Sequence, residues 1–186
     1  MTRNDAGVRM GAIRAFLAVT NHLEEIVNIS SQEFRIWSGI VCQYNHALIC
    51  ELCLKFLWEF YHQKGCRHTH DLRPIYNELP DEDRKKIRLI YNQHVSETHR
   101  LVQGGQSEFG TGKQNFQLAD FDTFLEWNRK TITDFKYHPA FKGSTSPTGC
   151  VIWNDDTIFF VGKQQRSFSE RLSDYVIERF NNDSSE

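Results

Sequence analysis

The stretch that most constrains this chain runs from Gln32 to Gln63. Phe34, Trp37, Ile40, Val41, Tyr44, Leu48, Leu52, Leu54, Phe56, Leu57, Phe60 and Tyr61 recur there at helical spacing, and they populate more than one face. A helix that is apolar on several sides has to be covered by other elements. The chain is therefore expected to fold around one long central helix whose middle is largely buried. Lys64-Gly65 supplies the stop, with a cation in the last turn and then a residue that tolerates the left-handed conformation.

The remainder is sufficient to build that cover. With 186 residues, 39% of them hydrophobic and 13% aromatic, the chain can form a real core and fits a single domain over 1–186. The formal net charge of −2 shows no global basic excess, so nucleic-acid contact would need a local patch. No apolar run approaches the roughly 20 residues that cross a bilayer. The start, MTRNDAGVRM, lacks the apolar region of a secretory leader. A cytoplasmic chain that does not enter a membrane is expected. Five cysteines are an odd number, and Cys50 and Cys53 lie within the apolar helical pattern, so reduced, buried thiols are expected.

Reading outward from the central helix, Ile13, Phe16, Leu17, Val19, Leu23 and Ile26 predict a first helix over about 9–27, after a polar, mobile stretch 1–7. Thr69-His70-Asp71 opens a short helix with Pro74 in its first turn, and Leu79-Pro80 closes it. Asp81-Glu82-Asp83 places three acids at the positive end of the next helix, which reaches about Leu101. The glycine-rich stretch 103–117 reads as a flexible loop. Helical spacing returns over 119–135, two short strands about a turn are expected over 150–161, and Ser167 caps a last helix before a disordered end at 181–186. The expected architecture is mainly α, an antiparallel helical bundle with one small β-hairpin.

Several constellations carry chemistry. Cys50-x-x-Cys53 followed by Cys66-x-His68-x-His70 has the residue types of a zinc site, but the first pair falls inside a buried helix and Cys66 lies beyond its end. No metal is therefore expected. The stretch from Gly104 to Lys113 departs from a phosphate-binding loop at Ser107 and Gln114. Glu51 and Lys55 stand at i, i+4 amid apolar residues, where each charge needs a partner, and His70-Asp71 lies one chain reversal away. Glu51, Lys55, His70 and Asp71 are therefore expected to form a buried polar clamp. Arg88 and His94 could stabilise phosphodiester charge and move a proton. Six helical positions amount to about 600° of rotation, about 120° from alignment, so they would converge only across a dimer or a distorted helix. Arg129, Lys130, Lys136 and His138 beside Trp127 form a candidate nucleic-acid patch, against the commoner reading of a charged helix rim.

A long helix with Glu51-x-x-x-Lys55, then a glycine, His70-Asp71-Leu72, Leu79-Pro80 and an acidic-capped helix resembles the HEPN superfamily of helical-bundle proteins. Phe124-Leu125-Glu126-Trp127-Asn128-Arg129 is similar to the segment before that family's last helix. The resemblance covers about Trp37 to Phe135 and the closing helix. It implies an antiparallel bundle, often a homodimer, in bacterial defence or toxin–antitoxin systems. Active members are metal-independent ribonucleases whose signature is an Arg and a His a few residues apart, with a polar residue commonly following the Arg. Arg88 and His94 fit the spacing, with Leu89 in the polar place. Members without the signature bind nucleotides or partners. Three readings follow: a ribonuclease or RNA-binding component using Arg88 and His94 across a dimer, a non-catalytic module for a protein or nucleotide partner, and a purely structural helical protein. No cofactor is implied by any of them.

Overall fold

A computed structural model describes residues 3–27, 32–105, 120–137 and 168–181. The chain is mainly α-helical: α1 (Arg3–Val27), α2 (Gln32–His62), α3 (Leu72–Asn77), α4 (Asp81–Gly105), α5 (Phe121–Tyr137) and α6 (168–181). The expected hairpin over 150–161 and most of the glycine-rich stretch lie outside the described residues. Four helices outrun their sequence-based bounds, with α5 running to Tyr137 and the last helix including Asn181, which was expected in a disordered end. α1 begins at Arg3, so residues 3–7 are helical, and α4 continues to Gly105. Asp5 lies in the first turn of α1, where a carboxylate favours the positive helix end.

α2 is the central helix. Its core-facing residues Ile49, Cys50, Cys53, Leu54, Phe56, Leu57 and Trp58 are all buried. The axes are set by contacts between distant positions. Arg9, near the start of α1, pairs with Glu59 near the end of α2, so these two helices run antiparallel. His46 meets Ser169 and Tyr61 meets Arg179, so α6 runs parallel to α2. Tyr91 meets Phe168 edge-to-face while Asp83 bonds Tyr175, so α4 runs antiparallel to α6. α5 crosses α2 where Asn128 Nδ2 donates to the Ala47 carbonyl at 3.0 Å.

An aromatic knot closes the core. Tyr91 packs against Phe121, Phe124 and Phe168 with ring centroids 5.0–5.4 Å apart, and Tyr76 joins at 4.9 Å from Phe121. Most of these contacts are edge-to-face, the arrangement favoured by ring quadrupoles, each worth roughly 0.5–1.5 kcal/mol beyond its area. The caps are local. Asp71 accepts from the Arg73 amide at 3.2 Å to start α3, and Asp120 accepts from the Thr123 amide at 2.7 Å to start α5.

The end of α2 corrects one expectation. The left-handed position is taken by Gln63, with φ of 52°, and not by Gly65. The helix unwinds two residues before the glycine, because the Gln63 amide still closes a turn onto the Glu59 carbonyl at 2.9 Å and the reversal follows at once. A side chain in this conformation costs roughly 1–2 kcal/mol relative to glycine. Gln63→Gly is therefore expected to stabilise the fold by about 1 kcal/mol, read as a higher urea midpoint at unchanged slope.

Candidate functional site

Positions 51, 55 and 59 share one face of α2, because spacings of four residues bring side chains nearly into line. That face carries Glu51, Lys55 and Glu59, a stripe of alternating charge. The chain after Gly65 doubles back along it. The Cys66 amide donates to Glu59 Oε1 at 2.8 Å, and His70 Nδ1 lies 2.9 Å from Glu51 Oε2. Lys55 Nζ donates to Glu51 Oε1 at 2.7 Å, so both oxygens of a carboxylate whose side chain is only 6% exposed are engaged. A carboxylate can only accept, so His70 carries its proton on Nδ1. Arg9 reaches across from α1 to Glu59 Oε2.

Glu51, Lys55 and His70 thus come together. Asp71 stands apart: its carboxylate caps α3, and its amide donates to Thr69 Oγ1 at 3.0 Å. Capping is a contact two residues away in sequence and needs no tertiary approach, so it captures the aspartate first. With both oxygens engaged, Glu51 is a brace between α2 and the chain reversal and is not a free proton acceptor.

Three of the four described cysteines, Cys42, Cys50 and Cys53, are buried. Burial pushes the Cys50 and Cys53 thiols well above the ordinary thiol range. Burial also raises the Cys66 thiol, and Lys55 partly draws it back. Among the described residues no three His, Cys, Asp or Glu side chains are gathered to hold a metal ion.

Beyond the stripe, Trp58 Nε1 donates to Glu78 Oε2 at 2.7 Å, and Arg67 pairs with the other oxygen at 2.5 Å. The Trp58 hydrogen bond holds the Glu78 carboxyl below its usual range, with help from Arg67. His62 stacks on the Trp58 ring at 4.2 Å and 13°. An open groove of about 420 Å³ lies between the start of α1 and the 63–65 turn. Arg9 and Glu59, which pair with each other, line it together with Asp5 and Lys64.

Arg88 lies on the seam between α4 and α5. Its guanidinium sits 5.3 Å over the Phe121 ring and 3.6 Å from Asp122. A hydrogen bond with Tyr76 and the charges of Asp122 and Asp120 raise its already high pKa. Its geometric contacts thus tie α4 to α5 at the bundle surface. The backbone of His94 continues α4, and its side chain lies outside the described set. Of the candidate nucleic-acid patch, Arg129 is described: it donates to Glu126 Oε1 at 2.6 Å, while Arg73 takes Glu126 Oε2 at 2.9 Å. The side chains of Lys130 and Lys136, and all of His138, lie outside the described set.

A polar cluster that sequence reasoning missed ties α2, α4 and α6. Asp83, with a side chain 2% exposed, accepts a short hydrogen bond from the Tyr175 hydroxyl and lies 3.9 Å from Arg179 Nε. Arg179 in turn donates to the Tyr61 hydroxyl at 3.1 Å. Asp83 reads in sequence as one of three dipole-facing acids, and Tyr61 and Tyr175 as core aromatics. The available signal was their hydroxyls, which need partners wherever tyrosine is buried.

Burial, then the hydrogen bond to Asp83, pushes the Tyr61 phenol up to about 12. Burial and Asp83 raise Tyr175 further. Both groups have folded values above the unfolded one, so their contribution is complete below about pH 10 and is lost as pH rises toward 12. Thermal melts are expected to hold level up to about pH 10 and to fall steeply above it. Absorbance at the tyrosinate band should show two phenols ionising late.

No family model, no curated protein and no solved structure matches this chain at a significant level.

Proposed function

We propose that this chain is a cytoplasmic, HEPN-like helical module that works by binding a partner and does not cut RNA with Arg88 and His94. The observation that carries this reading is the setting of Arg88. Its guanidinium lies over the Phe121 ring and beside Asp122, so the positive charge that would meet a scissile phosphate already has a carboxylate neighbour. The residue after it, Leu89, is a large apolar side chain 49% exposed, where active members of the family carry a polar group. The polar residues the sequence shares with the family, Glu51, Lys55 and His70, brace the central helix.

A ribonuclease or RNA-binding component of a defence or toxin–antitoxin system is the competing reading, and it makes a different prediction. Purified protein is incubated with labelled RNA in the presence of a chelator, beside Arg88→Ala and His94→Ala variants. Binding without chemistry predicts that all three leave the RNA intact to the same extent. Chelator-resistant cleavage by the parent that disappears in His94→Ala would reverse the assignment. Should the parent shift RNA in a gel without cutting it, the partner is RNA; should it not, a protein or nucleotide is the partner to seek.

A further inference from the structure

We propose that the groove between the start of α1 and the 63–65 turn binds a free α-amino acid, its ammonium on Glu59 and its carboxylate between Arg9 and Lys64. The groove measures about 420 Å³, toward the lower end for small-molecule sites, so it suits a ligand of few heavy atoms. The fold itself sets its walls. Glu59 is held through Oε1 by the Cys66 amide at 2.8 Å, and the packing of α1 on α2 brings Arg9 to Oε2.

Unanswered polar groups of both signs line this groove. The Glu59 side chain is only 6% exposed, and its Oε2 is shut away from water without a directed hydrogen bond. Arg9 lies against that oxygen as an ion pair, but not along an N–H direction. A buried acceptor in this state calls for a donor. Arg9 is 49% exposed and makes no other hydrogen bond or ion pair among the described residues, so most of its N–H donors are unused. Lys64 Nζ rests 5.3 Å from the centre of the Trp58 ring and has no acceptor among those residues. A carboxylate answers both cations, and an arginine can hold it with two parallel hydrogen bonds.

Charge selects the ligand. Among the described residues the groove is lined by two acids, Asp5 and Glu59, and two cations, Arg9 and Lys64. A lone anion would be set against the acids and a lone cation against the bases, whereas a zwitterion leaves the sum at zero. Arg9 and Glu59 are in contact, so the ligand's opposite charges must be close neighbours too. An α-amino acid carries them on one carbon, while a peptide separates them to its two ends. A phosphate brings negative charge without the ammonium that Glu59 calls for. The ligand's own side chain goes to the rim. There Val8 is 74% exposed, and a Cβ on Gly65 would meet nothing within 4 Å, so an aliphatic group has both a surface and room. The site shares no residue with the Arg88 seam and is independent of the reading of Arg88 and His94.

Titration of the isotope-labelled full chain with L-leucine, followed by two-dimensional NMR, tests it. N-acetyl-L-leucine and L-leucine methyl ester, which lack the ammonium and the carboxylate in turn, are the comparisons. The parent is expected to bind L-leucine with a dissociation constant on the order of 0.1–1 mM, weak because the groove is open. The amide signals of Gly65 and Cys66 should be among those that move. Each blocked form should bind at least about tenfold more weakly. Lys64→Met, at an exposed position, should weaken L-leucine at least about fivefold and narrow its advantage over the methyl ester. Glu59→Gln keeps an acceptor for the Cys66 amide but removes the charge under the ammonium, so the advantage over N-acetyl-L-leucine should shrink to about twofold or less. Should Glu59→Gln fold poorly, Lys64→Met decides alone. A parent that does not respond to L-leucine, blocked forms that bind as well as L-leucine, or undiminished binding in Lys64→Met would each overturn the proposal.

Discussion

Asp83→Ala is expected to lower the unfolding free energy by about 3 kcal/mol, because removing one partner of a buried ionic cluster strands the others. The carboxylate is the acceptor for Tyr175 and the nearest counter-charge to Arg179, and Arg179 in turn holds Tyr61. Without it, the Tyr175 phenol loses its acceptor and Arg179, which holds Tyr61, loses its counter-charge in a half-buried site. For a chain of this size the loss corresponds to a melting temperature lower by roughly 6–12 °C. The same loss should appear in urea as a lower midpoint. α6 is attached to α2 and α4 through this cluster at one end and through Phe168 and the His46–Ser169 bond, 2.8 Å long, at the other. Hydrogen exchange in α6 should therefore accelerate more than in α5. The exposed Asp81–Arg84 pair, two residues away, is the control, and Asp81→Ala should change stability by no more than about 0.5 kcal/mol once its helix-end position is allowed for. Equal effects of the two substitutions would mean that the cluster does not hold the helices together.

Glu51→Ala is expected to have an effect of similar size, about 3 kcal/mol, by leaving Lys55 and His70 without their shared acceptor. Lys55 is only 18% exposed on its side chain, so it can recover little of its hydration in place. Glu51→Gln keeps the shape and one acceptor oxygen and should lose less. Combining Glu51→Leu with Lys55→Met removes both charges and replaces them with apolar bulk, and should recover most of the loss suffered by Glu51→Ala. A urea series on these variants separates a brace from a reactive group. If Glu51 serves stability, the double variant regains the midpoint and any partner binding together. A double variant that regains stability but not binding would show that the stripe itself meets the partner.

Much of the helical layout was legible from residue spacing and end signals. The central helix was marked by its many-sided apolar pattern, α3 by Leu72, Ile75, Tyr76 and Leu79, and α6 by Phe168, Leu172 and Val176, all of them buried. The Glu51–Lys55 pair was equally legible, since four helical residues bring two long side chains together wherever the helix lies. Asp71 shows the limit of such reading. It was assigned to the clamp by its neighbourhood with His70, yet its shortest route to a donor was the first turn of its own helix. Gln63 shows another, because the left-handed position was assigned to the nearest glycine while the reversal had already begun two residues earlier.

What the amino-acid order determined by itself was local: which segments coil, where several of them are capped, and which charges meet one helical turn apart. The tertiary structure decided which of those charges have distant partners. Asp83 and Tyr175 stand 92 positions apart, and His46 and Ser169 stand 123 apart. No period or cap links such positions. They meet because the packing of α2, α4 and α6 excludes water, and a polar group shut away from water must be answered by another on the facing helix. The same packing placed Arg88 against Phe121 and Asp122 across the seam between two helices, contacts that no spacing within α4 could announce.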